Sequence, residues 1–514
     1  MQRSIPRSDL FTPLFFALCG LLLLPSSVRA DETSENGDDS PIHLEYRIWG
    51  TTGDDGDVTR PEVPGRASHS LLHQRLRVFG AKGVGHFRGV AEFDFAAGTL
   101  AGRRALQVPE AAATGTSAAG NAFTTPENLL DPRKAYVQYQ SDDVGQLKLG
   151  LQTSHWGLGI LANDGATEDD RLFNHHYGGD RVFRVIFATA PFAKTYSQFG
   201  RNFLVGLGGD YVYRDENASL RRGDSAGQGV LALLYRGSST QVGHYVTYRS
   251  QRDGDGDELR AFVLDYYLEH LWDTRGSWNF RAGAEAAALF GRTNRTLSQV
   301  TNEPVDVRGF GAAGEFEAHY RPANVRLRLR TGYASGDRSD DDETISRFRF
   351  DPNYQVGLLM FDHYIPAVSA ASYEKIHDPS RSAEAPKGAS GFVNDGSVEN
   401  ALYLNPRLLF GRKDGLLTGV GFLFARAAQP VYDPFETFAN GGTPTGVFGK
   451  MPAGRDLGWE VDVAARYRYT PVEPLTLEFK TEYGILFPGS AFETADGSSP
   501  SPENLLRASL AAIW

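Results

Sequence analysis

Along much of this chain apolar and polar residues alternate one for one, in runs of about nine to eleven positions, the period of a strand with one face in hydrocarbon and one in water. The clearest run is Val325 to Tyr333, where Val325, Leu327, Leu329, Thr331 and Tyr333 share one face and Arg326, Arg328, Arg330 and Gly332 the other. Trp459 to Tyr469 repeats it, with Glu460, Asp462, Ala464, Arg466 and Arg468 on the polar side. So do Leu475 to Ile485, with Glu478, Lys480 and Glu482 inward, and Phe87 to Phe95, with Arg88, Glu92 and Asp94 inward.

Extending outward from these runs predicts strands near 42–49, 70–80, 84–96, 133–140, 146–153, 181–189, 201–214, 228–236, 241–249, 259–269, 277–290, 308–320, 324–334, 400–410, 417–426, 458–470, 474–486 and 504–514. The alternation is weak at 228–236, 241–249 and 417–426. The fold class expected is all-β: a transmembrane antiparallel up-and-down β-barrel of about eighteen strands, with short periplasmic turns and long extracellular loops. The connections keep that rhythm. Short ones carry turn residues: Ala81-Lys82-Gly83, Asp142-Asp143-Val144-Gly145, Gly237-Ser238-Ser239, Arg321-Pro322, Arg412-Lys413-Asp414-Gly415 and Pro471-Val472-Glu473. Long ones include 97–132, 153–180, 335–399 and 427–457. The last strand alternates Leu506, Leu510 and Trp514 with Arg507 and Ser509, and its terminal aromatic, Trp514, resembles a signal read by the outer-membrane barrel-assembly machinery. A soluble sheet with one wet face is the plain alternative.

Composition agrees. Glycine at 57, aromatics at 12% and three Met suit strands and turns. Beyond the N-terminus no apolar stretch approaches the roughly 18 residues that a membrane helix needs, which leaves a closed barrel as the way across a bilayer. Residues 1–30 read as a cleaved secretory signal peptide: Arg3 and Arg7, the apolar run Leu14 to Leu24, then Val28-Arg29-Ala30. Residues 31–41 would be a short periplasmic segment and 42–514 the barrel, located in the outer membrane of a Gram-negative bacterium. The single cysteine, Cys19, lies in the leader, so a mature chain has no disulfide and no thiolate metal site. A net charge of −11 does not suit a nucleic-acid binder.

About eighteen strands enclose more space than side chains fill, so a water-filled channel is expected. The inward basic residues include Arg47, Arg75, Arg77, Arg88, Lys148, Arg184, Arg281, Arg326, Arg328, Arg330, Arg407, Arg466, Arg468, Lys480 and Arg507. The inward acids include Glu92, Asp94, Asp210, Asp265, Glu285, Glu315, Glu317, Glu460, Asp462, Glu478 and Glu482. Bases outnumber acids on the wall, although the whole chain is acidic, which favours anions in the pore. The alternative is that Arg and Glu on neighbouring strands pair and merely stiffen the wall. Arg326, Arg328 and Arg330, three like charges on one strand, are the hardest to explain that way. A plug domain of the TonB-dependent kind is not expected, because the first strand begins about twelve residues after Ala30.

The loop 335–399 is long enough to fold over or into the channel, and its apolar piece Tyr354 to Phe361 is ill suited to water. The acidic loops Asp253-Gly254-Asp255-Gly256-Asp257-Glu258 and Asp340-Asp341-Asp342-Glu343 lack EF-hand spacing and read as solvated. His175-His176 has no clear third ligand. No catalytic or phosphate-binding motif is present, so no enzyme, cofactor or metal is expected.

Several stretches resemble the alginate-export family of outer-membrane porins. Gly145-Gln146-Leu147-Lys148-Leu149-Gly150-Leu151-Gln152 before Trp156-Gly157 is similar to that family's strand ending in Gly-Arg-Gln, with Leu151 where Arg is usual. Gly332-Tyr333-Ala334-Ser335-Gly336-Asp337, Gly458-Trp459-Glu460-Val461-Asp462 and Phe487-Pro488-Gly489 resemble further strand ends. The resemblance implies an eighteen-stranded barrel that passes an anionic polysaccharide through a basic lumen. The expected function is therefore a passive channel for anionic solutes, including a polysaccharide such as alginate. A general small-solute porin is the alternative in the same class, and a barrel adhesin or enzyme in another. Expected partners are membrane lipid, lipopolysaccharide and the transported anion, with oligomeric state open between trimeric porin and monomeric exporter.

Overall fold

A computed structural model describes residues 42–54, 68–103, 129–141, 144–165, 172–173, 178–195, 197–296, 303–338, 343–380 and 388–514. The leader, the segment 31–41, the pair His175-His176 and Asp340 to Asp342 lie outside the described residues.

The strands are β1 His43–Asp54, β2 Ser68–Val84, β3 Phe87–Arg103, β4 Leu130–Ser141, β5 Gly145–Thr153, β6 Arg181–Thr189, β7 Phe203–Arg214, β8 Ser225–Arg236, β9 Thr240–Arg252, β10 Glu258–Asp273, β11 Trp278–Thr293, β12 Val305–Tyr320, β13 Val325–Ala334, β14 Thr344–Ile345, β15 Ala401–Gly411, β16 Leu416–Ala427, β17 Asp456–Val472, β18 Leu475–Pro488 and β19 Glu503–Ile513. The two-residue β14 lies parallel beside β12 and spans nothing. The other eighteen run antiparallel to their neighbours, and β1 pairs with both β2 and β19, so the sheet closes on itself. At the seam the amides of Leu44 and Trp514 each donate to the other's carbonyl, at 3.0 and 2.8 Å.

The outer face is apolar. Phe183, Val185 and Phe187 on β6, Phe262, Leu264, Tyr266 and Leu268 on β10, and Val463 and Tyr467 on β17 all stand exposed. Aromatic pairs mark its two rims. Trp278–Tyr320 at 4.9 Å and Phe199–Tyr235 at 5.2 Å lie by the short turns, and Trp459–Phe487 at 4.1 Å by the long loops. A closed sheet with an apolar belt between aromatic girdles is built to sit in lipid. An even strand number, with both ends of the barrel at the short-turn rim, is the bacterial outer-membrane form. The chain is an outer-membrane β-barrel.

Two expected turns move. Ala81-Lys82-Gly83 belongs to β2, and the chain reverses at Gly85-His86, where Gly85 takes φ +60° between the paired Val84 and Phe87. Likewise β17 runs on to Val472, and the reversal is at Glu473-Pro474.

The hydrophobic core lies inside the barrel. After β13 the chain leaves at the long-loop end and turns inward. Phe348, Phe350, Tyr354, Val356, Leu358, Leu359, Met360, Phe361 and Tyr364 are buried, followed by the helix Ile365–His377. Ile160, Leu172 and Phe173, from the connection after β5, join the same cluster. The wall residues that meet it are small or aliphatic: Ala287, Ala313, Ala334, Ala401, Leu409, Leu417, Leu423, Ala464 and Leu486. Glycines admit the closest approaches. A Cβ on Gly311 would stand 2.4 Å from the Phe348 ring, and one on Gly484 would stand 2.8 Å from Leu359. The long connection 335–399, expected to fold over or into the channel, is in its described residues largely a filling of one side of the lumen.

The lipid-facing reading is tested by Leu264→Arg, near the middle of β10. A charge facing mid-bilayer should cost about 2–4 kcal/mol. The midpoint of denaturant unfolding in lipid vesicles should fall accordingly, whereas an unchanged midpoint would place that face in water.

Candidate channel interior

The folded-in loops carry backbone N–H groups into a dry interior, where each needs an acceptor. Wall carboxylates supply them. On β17 Glu460 accepts from the amides of Leu358, Leu359 and Met360 at 2.5, 2.9 and 2.7 Å. Gly357, at φ +77°, makes the turn possible, since a Cβ there would sit 2.8 Å from the Glu460 carboxylate. On β11 Glu285 accepts from Leu158 and, at 2.9 Å, from Gly159. Glu482 accepts from Phe173 at 2.7 Å. Asp265 accepts from the Trp156 indole at 2.7 Å, and that ring lies over Gly243 beside Tyr245. Arg507 binds Asp362 of the inserted loop at 3.0 Å and leans on Glu482 at 3.6 Å.

The ladder register turns every one of the expected charges to the inner face, and most are paired there. Arg77 grips Asp94 with two bonds of 2.7 and 2.8 Å, and Arg184 grips Asp210 with two of 2.7 Å. Arg47 bridges Glu45 and Glu478, Arg75 binds Glu45 at 2.7 Å, and Arg468 binds Glu478 at 2.8 Å. Glu92 is held by Arg133 at 2.7 Å and Lys134 at 3.1 Å. Lys480 binds Glu482 at 3.1 Å. Arg466 donates to the Lys413 carbonyl at 2.7 Å, and Arg407 to Asn405 at 2.7 Å while lying over the Phe173 ring. Asp462 is fully buried next to Glu460.

The arginine triplet of β13 is not a run of unbalanced charge. Opposite it on β12 stand Glu315 and Glu317, in register with Arg330 and Arg328. Arg330 binds Glu315 at 3.0 Å, and Arg328 pairs with Glu317. Arg326 is buried on the same face. Sequence reasoning missed Glu45, Arg133, Lys134 and Glu269 as partners. Arg133 and Lys134 are adjacent on β4, where a register shift between Glu92 and Phe93 of β3 breaks the alternation, Glu269 ends its expected strand, and Glu45 sits near the start of the first.

Water reaches a different subset. Arg281 keeps 36% of its side chain exposed, Lys134 28%, Arg468 21%, Arg77 19% and Arg328 17%. Arg88 and Lys148 are also half-buried. All but Lys134 and Arg77 stand within a few residues of a short turn. The acids among them are Glu269, Glu315 and Glu317, which pair with Arg281, Arg330 and Arg328. At the long-loop end a cavity of about 280 Å³ opens between β6–β12 and the inserted loop, with Val182, Tyr245, Val263 and Phe348 as apolar walls and Arg249, Arg347 and Arg349 on its rim.

No family model matches the chain, and no curated protein does. Solved structures similar in shape include Acinetobacter baumannii OccAB2, at 11% identity and TM-score 0.47, covering 92% of this chain and 98% of that one. Pseudomonas aeruginosa OccK1 (OpdK) is 12% identical, with TM-score 0.44 and coverage of 92% and 99%. OccK2 (OpdF) of the same organism, solved with glucuronate, is 12% identical, with TM-score 0.41 and coverage of 92% and 97%. At that level nothing about cargo follows. The comparisons do not show the alginate-export family; of the stretches that resemble it, Trp156-Gly157 packs on Asp265 and Glu285, and Gly336 lies against Asn400.

Glu460→Ala and Glu285→Ala test the anchoring. Each leaves buried amides without an acceptor, at about 1–3 kcal/mol per group. The inserted loops should loosen and single-channel conductance should rise in either variant. Unchanged conductance in both would show that apolar packing alone holds the loops.

Proposed function

We propose that the protein is a passive outer-membrane channel for small solutes with a preference for anions. The observation that carries this is the solvated part of the wall. Arg88, Lys134, Lys148, Arg281, Arg328 and Arg468 outnumber Glu269, Glu315 and Glu317 there. Buried pairs such as Arg184–Asp210 are already neutralised by their partners. A hydrated anion can meet only the charges that water meets, so selectivity falls to the exposed group. An extended polyanion such as alginate would share that lining, but it would also have to thread past the inserted loops. A compact solute needs less space, which puts small anions first.

The test is the reversal potential of the purified protein in planar bilayers under a salt gradient. Anion selectivity is expected, and Arg281→Gln with Arg328→Gln should reduce it. At about 1 kcal/mol for a charge met at contact distance in water, the anion-to-cation ratio should fall roughly fivefold. Cation selectivity in the unaltered protein would overturn the preference, and absence of conductance would overturn the channel.

A further inference from the structure

Three separate connections bring one carboxylate each to a common point at the long-loop end. Asp180 precedes β6, Glu216 follows β7, and Asp351 belongs to the inserted loop after β13. One oxygen of each lies within 4.8 Å of the others. Asp180 and Asp351 are buried, Glu216 is half-buried, and Asp180 and Glu216 border the 280 Å³ cavity. The neighbouring guanidinium, Arg249, is forked onto Asp215 by bonds of 2.5 and 3.2 Å.

A fourth oxygen stands beside Asp351. Asn353 is 4% exposed, and its Oδ1 has no partner. Its Nδ2 donates to Asp351 Oδ1 at 2.8 Å, which lays the carboxamide against the cluster. Its Oδ1 faces Gly165, where a Cβ would lie 3.3 Å from that oxygen and 2.6 Å from the carbonyl of Gly178, two residues before Asp180. The Asn163 amide points at both Asp351 Oδ2, at 3.0 Å, and Asp180 Oδ2, at 3.3 Å, so these two carboxylates converge on one spot. Each carboxylate oxygen keeps a second lone pair for another partner.

We propose that Asp180, Glu216, Asp351 and the side-chain oxygen of Asn353 bind one calcium ion, which ties the inserted loop to the connections flanking β6 and β7. An all-oxygen set from flexible loops is the chemistry of calcium, with its six to eight ligands at variable angles. Magnesium demands a stricter octahedron and holds its water more tightly. No spacing along the chain points to this site, because Asp180, Glu216 and the Asp351–Asn353 turn lie dozens of residues apart and only the folded-in loop joins them.

The experiment is calorimetric titration of calcium chloride into the full mature chain, folded in detergent and stripped with chelator. One saturable calcium per chain is expected, with magnesium weaker. Glu216→Gln and Asn353→Ala should each weaken binding by about tenfold or more. Asp255→Asn, in the exposed acidic turn between β9 and β10, should leave it unchanged. Asp351→Asn should abolish it, but Asp351 also caps its own turn, so Glu216→Gln is the deciding variant. No saturable binding, or equal binding in wild type and Glu216→Gln, overturns the site. The titration is independent of ion conduction, so its failure and that of the channel reading are separable.

Discussion

A polypeptide in lipid has no water with which to hydrogen-bond its backbone, and the rest of this structure follows from that constraint. In the wall it is met by closure: β1 lies between β2 and β19, and the Leu44–Trp514 exchange seals the seam. The same rule applies a second time inside. A loop that folds into a dry lumen carries amides with no strand beside them, and there the acceptors are side chains. Glu460, Glu285 and Glu482 do for the inserted loops what a neighbouring strand does for the wall.

That second use explains which parts of the fold could be read from the chain. Alternation locates strands where one face is apolar and the other carries charge. On β13, β17 and β18 the inner face holds charged side chains, ion-paired or bound to loop amides, and those strands stand out at once. On β16 the inward positions are Leu417, Gly419, Gly421, Leu423 and Ala425, which face the apolar filling, so the contrast between faces fades. The weakness at 228–236 and 241–249 has the same origin, with Gly243, the ladder partner of Leu234, under the Trp156 ring. Weak alternation therefore marks the part of the wall that meets the filling with apolar and small residues, a signal visible in the sequence but without meaning until the loop is placed; where the wall anchors the loops with carboxylates, as on β17, the alternation stays sharp.

The charged positions show the same division. Their inward direction was legible from period two alone, but their partners depended on register. For the β13 triplet even that was within reach: the tight connection at Arg321-Pro322 sets Glu317 opposite Arg328 and Glu315 opposite Arg330. Partners contributed by distant strands, such as Glu478 for Arg47, required the closed ring. Wall acids that anchor loops could not be told from wall acids that line water, because the two differ only in what the loop does.

The interior thus has two kinds of charge with different physics. A buried Arg–carboxylate pair roughly balances its desolvation cost against its attraction, so such pairs define shape more than they add stability, and removing one partner is costly. They are poorly placed to exchange with a passing ion. A half-exposed guanidinium keeps part of its hydration and can trade water for a solute at little cost. The apolar filling decides which charges belong to which kind, by covering one side of the lumen and leaving the short-turn end wet. Selectivity in this barrel is consequently a property of how the loops pack as much as of how many arginines the wall contains. Two chains with the same wall and different inserted loops would pass different ions.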